Sequence, residues 1–317
     1  MGLVAVAAAK GSPGVTTLAL AMGALWPRQA MVAECDAAGA DIPVRMQSVD
    51  GGVLDPDRGL LSLAAAGRKG LHSDLVLGHT QRVVGGLEVL VGARVPEQAA
   101  GMSSMWPLLG PAFDGIAGYD VIADCGRVGA TTPQTALLRA AHLLVMVGTT
   151  EPSSVVHLRE RLLALAPVLD PTSPMGTPIA VALVAPPKAH TAVDQVKDAL
   201  GRTEVPLRDV WHIAHDPKGA GFFKGQVAGR ADKTLLVKTA TVAAERAAAA
   251  VEPFFDPLPE PAPVDETGPN AEWSGFSFTS EPTADGHGQP GQPPPGAPAP
   301  PPTSVPPNQQ MPPGASQ

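Results

Sequence analysis

The stretch Val4-Ala-Val-Ala-Ala-Ala-Lys10-Gly-Ser-Pro-Gly-Val-Thr-Thr-Leu18 sets the frame for the 317-residue chain. Its first half is a short apolar run suited to a buried strand. Lys10 to Gly14 breaks that run with two glycines and a proline. From Thr16 an Ala- and Leu-rich segment reads as a helix that ends near Trp26-Pro27. Strand, glycine loop and helix in that order read as an anion cradle, the plainer alternative being an ordinary strand-to-helix turn. Loop amides and the helix N-terminus aim their N–H groups at one point, and the helix dipole adds to the attraction. Thr16 stands where a hydroxyl can ligate Mg²⁺.

Outward from this stretch, apolar runs at 30–34, 87–91, 119–123, 142–147, 179–184 and 210–213 read as further strands. Helical patterns fall at 59–66, 74–79, 102–113, 132–139, 152–165, 193–200 and 235–251, the third interrupted at Pro107 or Pro111 and the fourth with Pro133 at its first position. The strands are apolar throughout rather than alternating, as in a parallel sheet covered on both faces. The fold expected is α/β, with a mostly parallel, doubly wound sheet. Ligands of such sheets bind at the carboxyl ends of strands. Lys10, Asp36 and Asp124 all fall at such ends. The plainer alternatives are a solvated loop charge for Lys10, a helix N-cap for Asp36 and a turn residue for Asp124.

Composition bounds the rest. The chain is 44% hydrophobic, 16% charged and only 4% aromatic, so Ala, Val and Leu must fill the core. Two cysteines, Cys35 and Cys125, make no disulfide framework and fit a reduced, cytoplasmic setting as small core fillers. The apolar N-terminus has no basic lead and is broken at Lys10, which argues against a signal peptide or a membrane span. The eight histidines lack metal-site spacing, no Gly-x-Ser-x-Gly elbow is present, and the loop fails the dinucleotide pattern Gly-x-Gly-x-x-Gly.

Charge and proline divide the chain near residue 255. Residues 256–317 hold seven of the 30 acids, none of the 22 Lys and Arg, and 18 of the 36 prolines. That composition cannot bury enough apolar surface to fold and reads as a disordered, acidic Pro/Gly-rich tail. Within it, the aromatic island 272–278 places Trp273, Phe276 and Phe278 in six residues and suggests a docking peptide for a protein partner. Residues 1–255 are nearly neutral. Neither part has the basic footprint of a protein that grips DNA phosphates non-specifically.

Lys10-Gly11-Ser12-Pro13-Gly14-Val15-Thr16 resembles the Lys-Gly-Gly-x-Gly-Lys-[Ser/Thr] loop of the ParA/MinD family of P-loop ATPases. It departs from that pattern at Ser12 and at Val15, where the family has its phosphate-binding lysine. Tyr119-Asp-Val-Ile-Ala-Asp124 resembles the family's Walker B strand, and Glu34-Cys35-Asp36 its Asp-x-Asp, with Glu for the first Asp. His215-Asp216-Pro217 resembles the loop near the adenine. The resemblance spans about residues 1–250 and implies ATP and Mg²⁺ as cofactors. Gly11, Ser12, Pro13, Gly14, Val15, Thr16 and Thr17 would cradle the phosphates. Thr16 and Asp124 would hold the metal, Asp36 would position the attacking water, and Asp216 and Pro217 would lie near the base. Lys10, the family's signature lysine, would reach across a nucleotide-dependent homodimer. Arg127, three residues beyond Asp124, is placed to replace part of the lost positive charge.

Two functions follow. One is a slow, nucleotide-switched ATPase that positions a cargo: a chromosome or plasmid, a septum site, or secretion and pilus machinery. The other is a catalytically dead scaffold that recruits partners through its tail, for which Val15 is the sequence evidence. The Ala-rich end at 240–255 carries only Arg246 as a base, and the tail is acidic, so no autonomous membrane binding is expected.

Overall fold

A computed structural model describes residues 2–225 and 230–252. The tail, its aromatic island and the docking role given to Trp273, Phe276 and Phe278 lie outside the described residues. In chain order the elements are β1 (Leu3–Ala8), α1 (Val15–Ala24), β2 (Ala30–Glu34), α2 (Ile42–Arg45), α3 (Leu60–Ala66), α4 (Ser73–Gly78), β3 (Gln81–Arg82), β4 (Glu88–Leu90), α5 (Pro96–Gly101) and α6 (Trp106–Asp114). They continue with β5 (Asp120–Arg127), α7 (Thr135–Ala140), β6 (Leu143–Thr149), α8 (Pro152–Leu169), β7 (Ile179–Ala185), α9 (His190–Gly201), β8 (Asp209–Ala214), α10 (Pro217–Phe222) and α11 (Leu235–Ala250).

The eight strands form one sheet in the order β3-β4-β2-β5-β1-β6-β7-β8. Every pairing is parallel except the two-residue β3 against β4. The expected α/β sheet is therefore present, with β1 at its centre. Side chains alternate along β1: Leu3, Ala5 and Ala7 enter one core, Val4, Val6 and Ala8 the other. α1 and α11 cover the second face through Leu18, Met22, Leu236, Ala240 and Ala247. α6 to α9 cover the first, α8 by a stripe of Leu158, Leu162, Leu165 and Leu169 at helical spacing. The apolar face of α11 is thus spent inside the protein. Among the described residues, no helix is long and apolar enough to cross a membrane.

The chain leaves β1, lays down β2 and β4 on one side, returns to insert β5 between β2 and β1, then crosses to β6. That reversal opens a crevice at the carboxyl ends of β1, β2 and β5. β5 does not stop at Asp124 as its sequence suggests; it runs on to Arg127 through a bulge. Val6 pairs with Asp124 and Ala8 with Arg127, so two β5 residues oppose Ala7 alone. Gly126 makes the bulge possible, with φ of 57°.

Departures from the sequence reading cluster where elements are short. β3, α2, α5 and α10 have two to six residues and too few positions to show a period. The helix expected over 102–113 is α6, which begins only at Trp106, with Pro107 in its first turn and Pro111 inside it; α5, ending at Gly101, precedes the expected range. α7 begins at Thr135, with Gln134 rather than Thr132 at its N-cap, so Pro133 lies in the preceding turn.

Candidate functional site

The loop after β1 has the geometry of a cradle. Gly11 and Gly14 hold φ of 74° and 102°, and no atom lies within 4 Å of where a Cβ on either would be. Their freedom is spent on turning the backbone, with open space beside it. Gly14 is the N-cap of α1, no side chain caps the helix, and no acid lies in its first turn. Its leading amides thus point at the cavity without a side-chain acceptor.

That cavity measures about 380 Å³ and is lined by Gly11, Ser12, Gly14, Val15, Thr16 and Thr17 on the α1 side. On the opposite side stand Asp36, Asp41 and Arg45, with Gly126, Arg127 and Lys224 beside them. Lys10, Pro13, Asp216 and Pro217 do not line it. Lys10 is exposed, its Nζ 3.3 Å from His157 Nε2 on α8. Val15 keeps only 7% of its surface exposed and packs with Val4, Val6 and Leu18.

Of the two acids, Asp36 lines the cavity, whereas Asp124 does not and lies behind its Thr16 and Gly126. Asp124 is fully buried. The Gly126 amide donates to its Oδ1 at 3.1 Å, while Oδ2 has no protein partner. Burial pushes its pKa up to about 6, against the Thr16 hydroxyl and the Gly126 amide, which favour the ionised form; the Asp36 charge raises it and the Arg45 charge lowers it. A buried carboxylate oxygen without a donor, beside a hydroxyl, fits a hydrated Mg²⁺. Asp36 accepts the Ala38 amide at 2.8 Å. Its carboxylate lies directly over Gly126, where any Cβ would overlap it. Burial raises its pKa, and the Arg127 charge lowers it.

Glu34 has a different role from the one its place in Glu34-Cys-Asp36 suggests. It is buried, with Oε1 accepting the amides of Asp41 at 2.5 Å and Ile42 at 2.8 Å, and Oε2 that of Gly92 at 3.0 Å. It pins the start of α2 and the strand exit after β4 to the end of β2. Desolvation nonetheless raises its pKa to about 7, the three amides opposing the shift. Asp216 is also a staple. It caps α10 through the Gly219 amide at 3.0 Å and holds the Leu235 amide of α11 at 2.8 Å. These amides outweigh desolvation and lower its pKa.

Cys35 and Cys125 are free and fully buried on neighbouring strands, their pKa values raised chiefly by burial, as expected of core fillers. Gln134 Nε2 donates to both their carbonyls, at 3.3 and 3.4 Å, and so ties together the strands that carry Asp36 and Asp124. Of the residues singled out in the sequence, Gly11, Ser12, Gly14, Val15, Thr16, Thr17, Asp36 and Arg127 line the cavity, and Asp124 lies behind it. Sequence reading missed Asp41, Arg45 and Lys224. The available signal was the i,i+4 spacing of Asp41 and Arg45 around a proline-led turn.

No protein-family model and no curated protein sequence matches the chain. Solved structures do resemble it. A ParA family ATPase from Chlorobium tepidum TLS has a TM-score of 0.58 at 16% identity, over 77% of this chain and 97% of that one. The septum site-determining protein MinD from Pyrococcus horikoshii OT3, complexed with Mg-ADP, has a TM-score of 0.53 at 17% identity, over 78% and 95%. Cobyrinic acid a,c-diamide synthase from Mycobacterium smegmatis, with a bound ATP analogue and magnesium, has a TM-score of 0.56 at 19% identity, over 77% and 93%. The class of fold is therefore that of the ParA/MinD P-loop ATPases. Identities this low define the fold alone, and the names show that it serves both septum siting and synthesis.

Proposed function

We propose that the chain is a nucleotide-switched protein of the ParA/MinD kind, binding ATP with Mg²⁺ in the cavity between α1 and α2. The observation that carries this reading is the Asp124 oxygen left without a donor beneath an open glycine loop and an uncapped helix end. Loop amides from Gly11 to Thr17 would hold the phosphates. Thr16 and Asp124 would hold the metal, which supplies charge neutralisation on the phosphate oxygens. Asp36, fixed by the Ala38 amide, is placed to accept a hydrogen bond from a water and orient it toward the phosphate. Arg127 faces the same space and adds positive charge. Hydrolysis would be slow, because catalysis here is positioning plus charge stabilisation and position 15 contributes no charge. Lys10, exposed and outside the cavity, is free of any duty to its own nucleotide and available to a partner copy across a homodimer. The cargo would be positioned through partners of the assembled state.

The scaffold reading is favoured by one fact: Val15 is a core residue rather than a phosphate ligand. Titration calorimetry of the full chain with ATP and ADP separates the two. Micromolar binding that needs Mg²⁺ supports the switch, and sedimentation of wild type beside Lys10→Ala with ATP then tests the dimer. Absence of binding at millimolar nucleotide leaves the scaffold.

A further inference from the structure

The cavity asks where the phosphate cation has gone. Position 15 cannot supply it, Lys10 lies outside, and Arg127, though on the same cavity, is exposed and its charge acts on Asp36. Arg45 does line the cavity, across from α1, with its side chain 26% exposed. It is paired with Asp41 one helical turn earlier, and Asp41 lines the cavity too. The turn that carries both is fixed at its start by Glu34, so Arg45 is presented from an anchored element. Its charge lowers the pKa of Asp124, buried behind the cavity lining. Its carbonyl stands against Gly225, which brings Lys224 to the same rim.

We propose that Arg45 supplies the phosphate-binding cation that position 15 lacks, and that the terminal phosphate of a nucleoside triphosphate takes it from Asp41. The proposal rests on the nucleotide reading above and deepens it. A guanidinium fits the task because it binds phosphate oxygens in a fork and stays charged. A solvent-open i,i+4 pair such as Asp41–Arg45 is held weakly, so a phosphate in reach outcompetes the carboxylate. The consequence is a preference for tri- over diphosphate that is written into α2 rather than α1.

Titration calorimetry of the full chain with Mg-ATP and Mg-ADP tests this in wild type, Arg45→Gln, Arg45→Lys, Asp41→Asn and the double variant Val15→Lys/Arg45→Gln. Arg45→Gln is expected to weaken Mg-ATP by about 10- to 100-fold, the worth of a charge-assisted hydrogen bond, and Mg-ADP by much less. Arg45→Lys recovers part of the loss. Asp41→Asn removes the competitor and tightens Mg-ATP, a result that a merely structural pair would not give. The double variant regains affinity by returning a cation to position 15. Arg45→Gln that binds Mg-ATP as wild type does overturns the inference, as does Asp41→Asn that weakens Mg-ATP. Wild type that binds neither nucleotide overturns the nucleotide reading, and this inference with it. Wild-type binding that survives Arg45→Gln overturns the inference alone.

Discussion

The two walls of the cavity are built on opposite terms. The α1 wall is backbone: two glycines in left-handed turns, a helix end without a cap, hydroxyls at Thr16 and Thr17, and Val15 turned into the core. The opposite wall is side-chain charge: Asp36 in the loop after β2, and Asp41 and Arg45 on a short element that Glu34 fastens down. Backbone amides recognise any phosphate and cannot be exchanged by substitution. Charged side chains can be lost at one wall and supplied from another. If the cavity takes a phosphate as proposed, the charged wall can supply the cation that the backbone wall lacks.

Three substitutions sharpen that contrast. The largest effect is expected at Asp124, buried behind the cavity between the two walls. Asp124→Asn should weaken the Mg²⁺-dependent part of nucleotide binding by about 10- to 100-fold, as loss of a group holding metal-bound water does. The same change removes a buried carboxylate, so the nucleotide-free variant should unfold at a higher denaturant concentration than wild type at pH 8. A variant that binds nucleotide equally well with and without chelator, as wild type should not, would support this placement of the metal.

Gly126→Ala comes next. Its Cβ would run into the Asp36 carboxylate at a residue with positive φ. The expected loss of stability is about 1–3 kcal/mol, read from the denaturant midpoint. Adding Asp36→Ala should return part of that loss, because the two residues share one space. Strict additivity of the two changes would show that only backbone strain matters.

The smallest effect belongs to the staple under α2. With a pKa of about 7 against the usual 4.5, Glu34 keeps in the folded state a proton that the unfolded chain releases. Its contribution is whole below pH 4.5 and is lost as pH rises through 7. Glu34→Gln cannot titrate, so its stability should fall less than that of wild type between pH 5 and pH 8. Equal slopes for the two proteins would remove Glu34 from this role.

How much of this was legible in the sequence follows the same division. β1 and the strands at 142–147 and 179–184 are long apolar runs whose fate is fixed by burial on both faces. Asp36 and Asp124 were readable because each follows such a run. The α2 wall was not, since α2 has four residues and no period, and its position comes from Glu34 reaching amides seven, eight and 58 residues away. The same limit applies to Asp216, whose place after a strand suggests a ligand loop although its carboxylate joins α10 to α11. Sequence spacing marks residues near a strand end; it does not show which amides have already claimed them.

The most direct test of the account is a crystal structure of the full chain with Mg²⁺ and a non-hydrolysable ATP analogue. Phosphates are expected on the Gly11–Thr17 amides, the metal between Thr16 and Asp124, Val15 still in the core, and Arg45 swung from Asp41 onto the terminal phosphate. Phosphates bound with Arg45 still paired to Asp41, or a nucleotide seated outside this cavity, would contradict it.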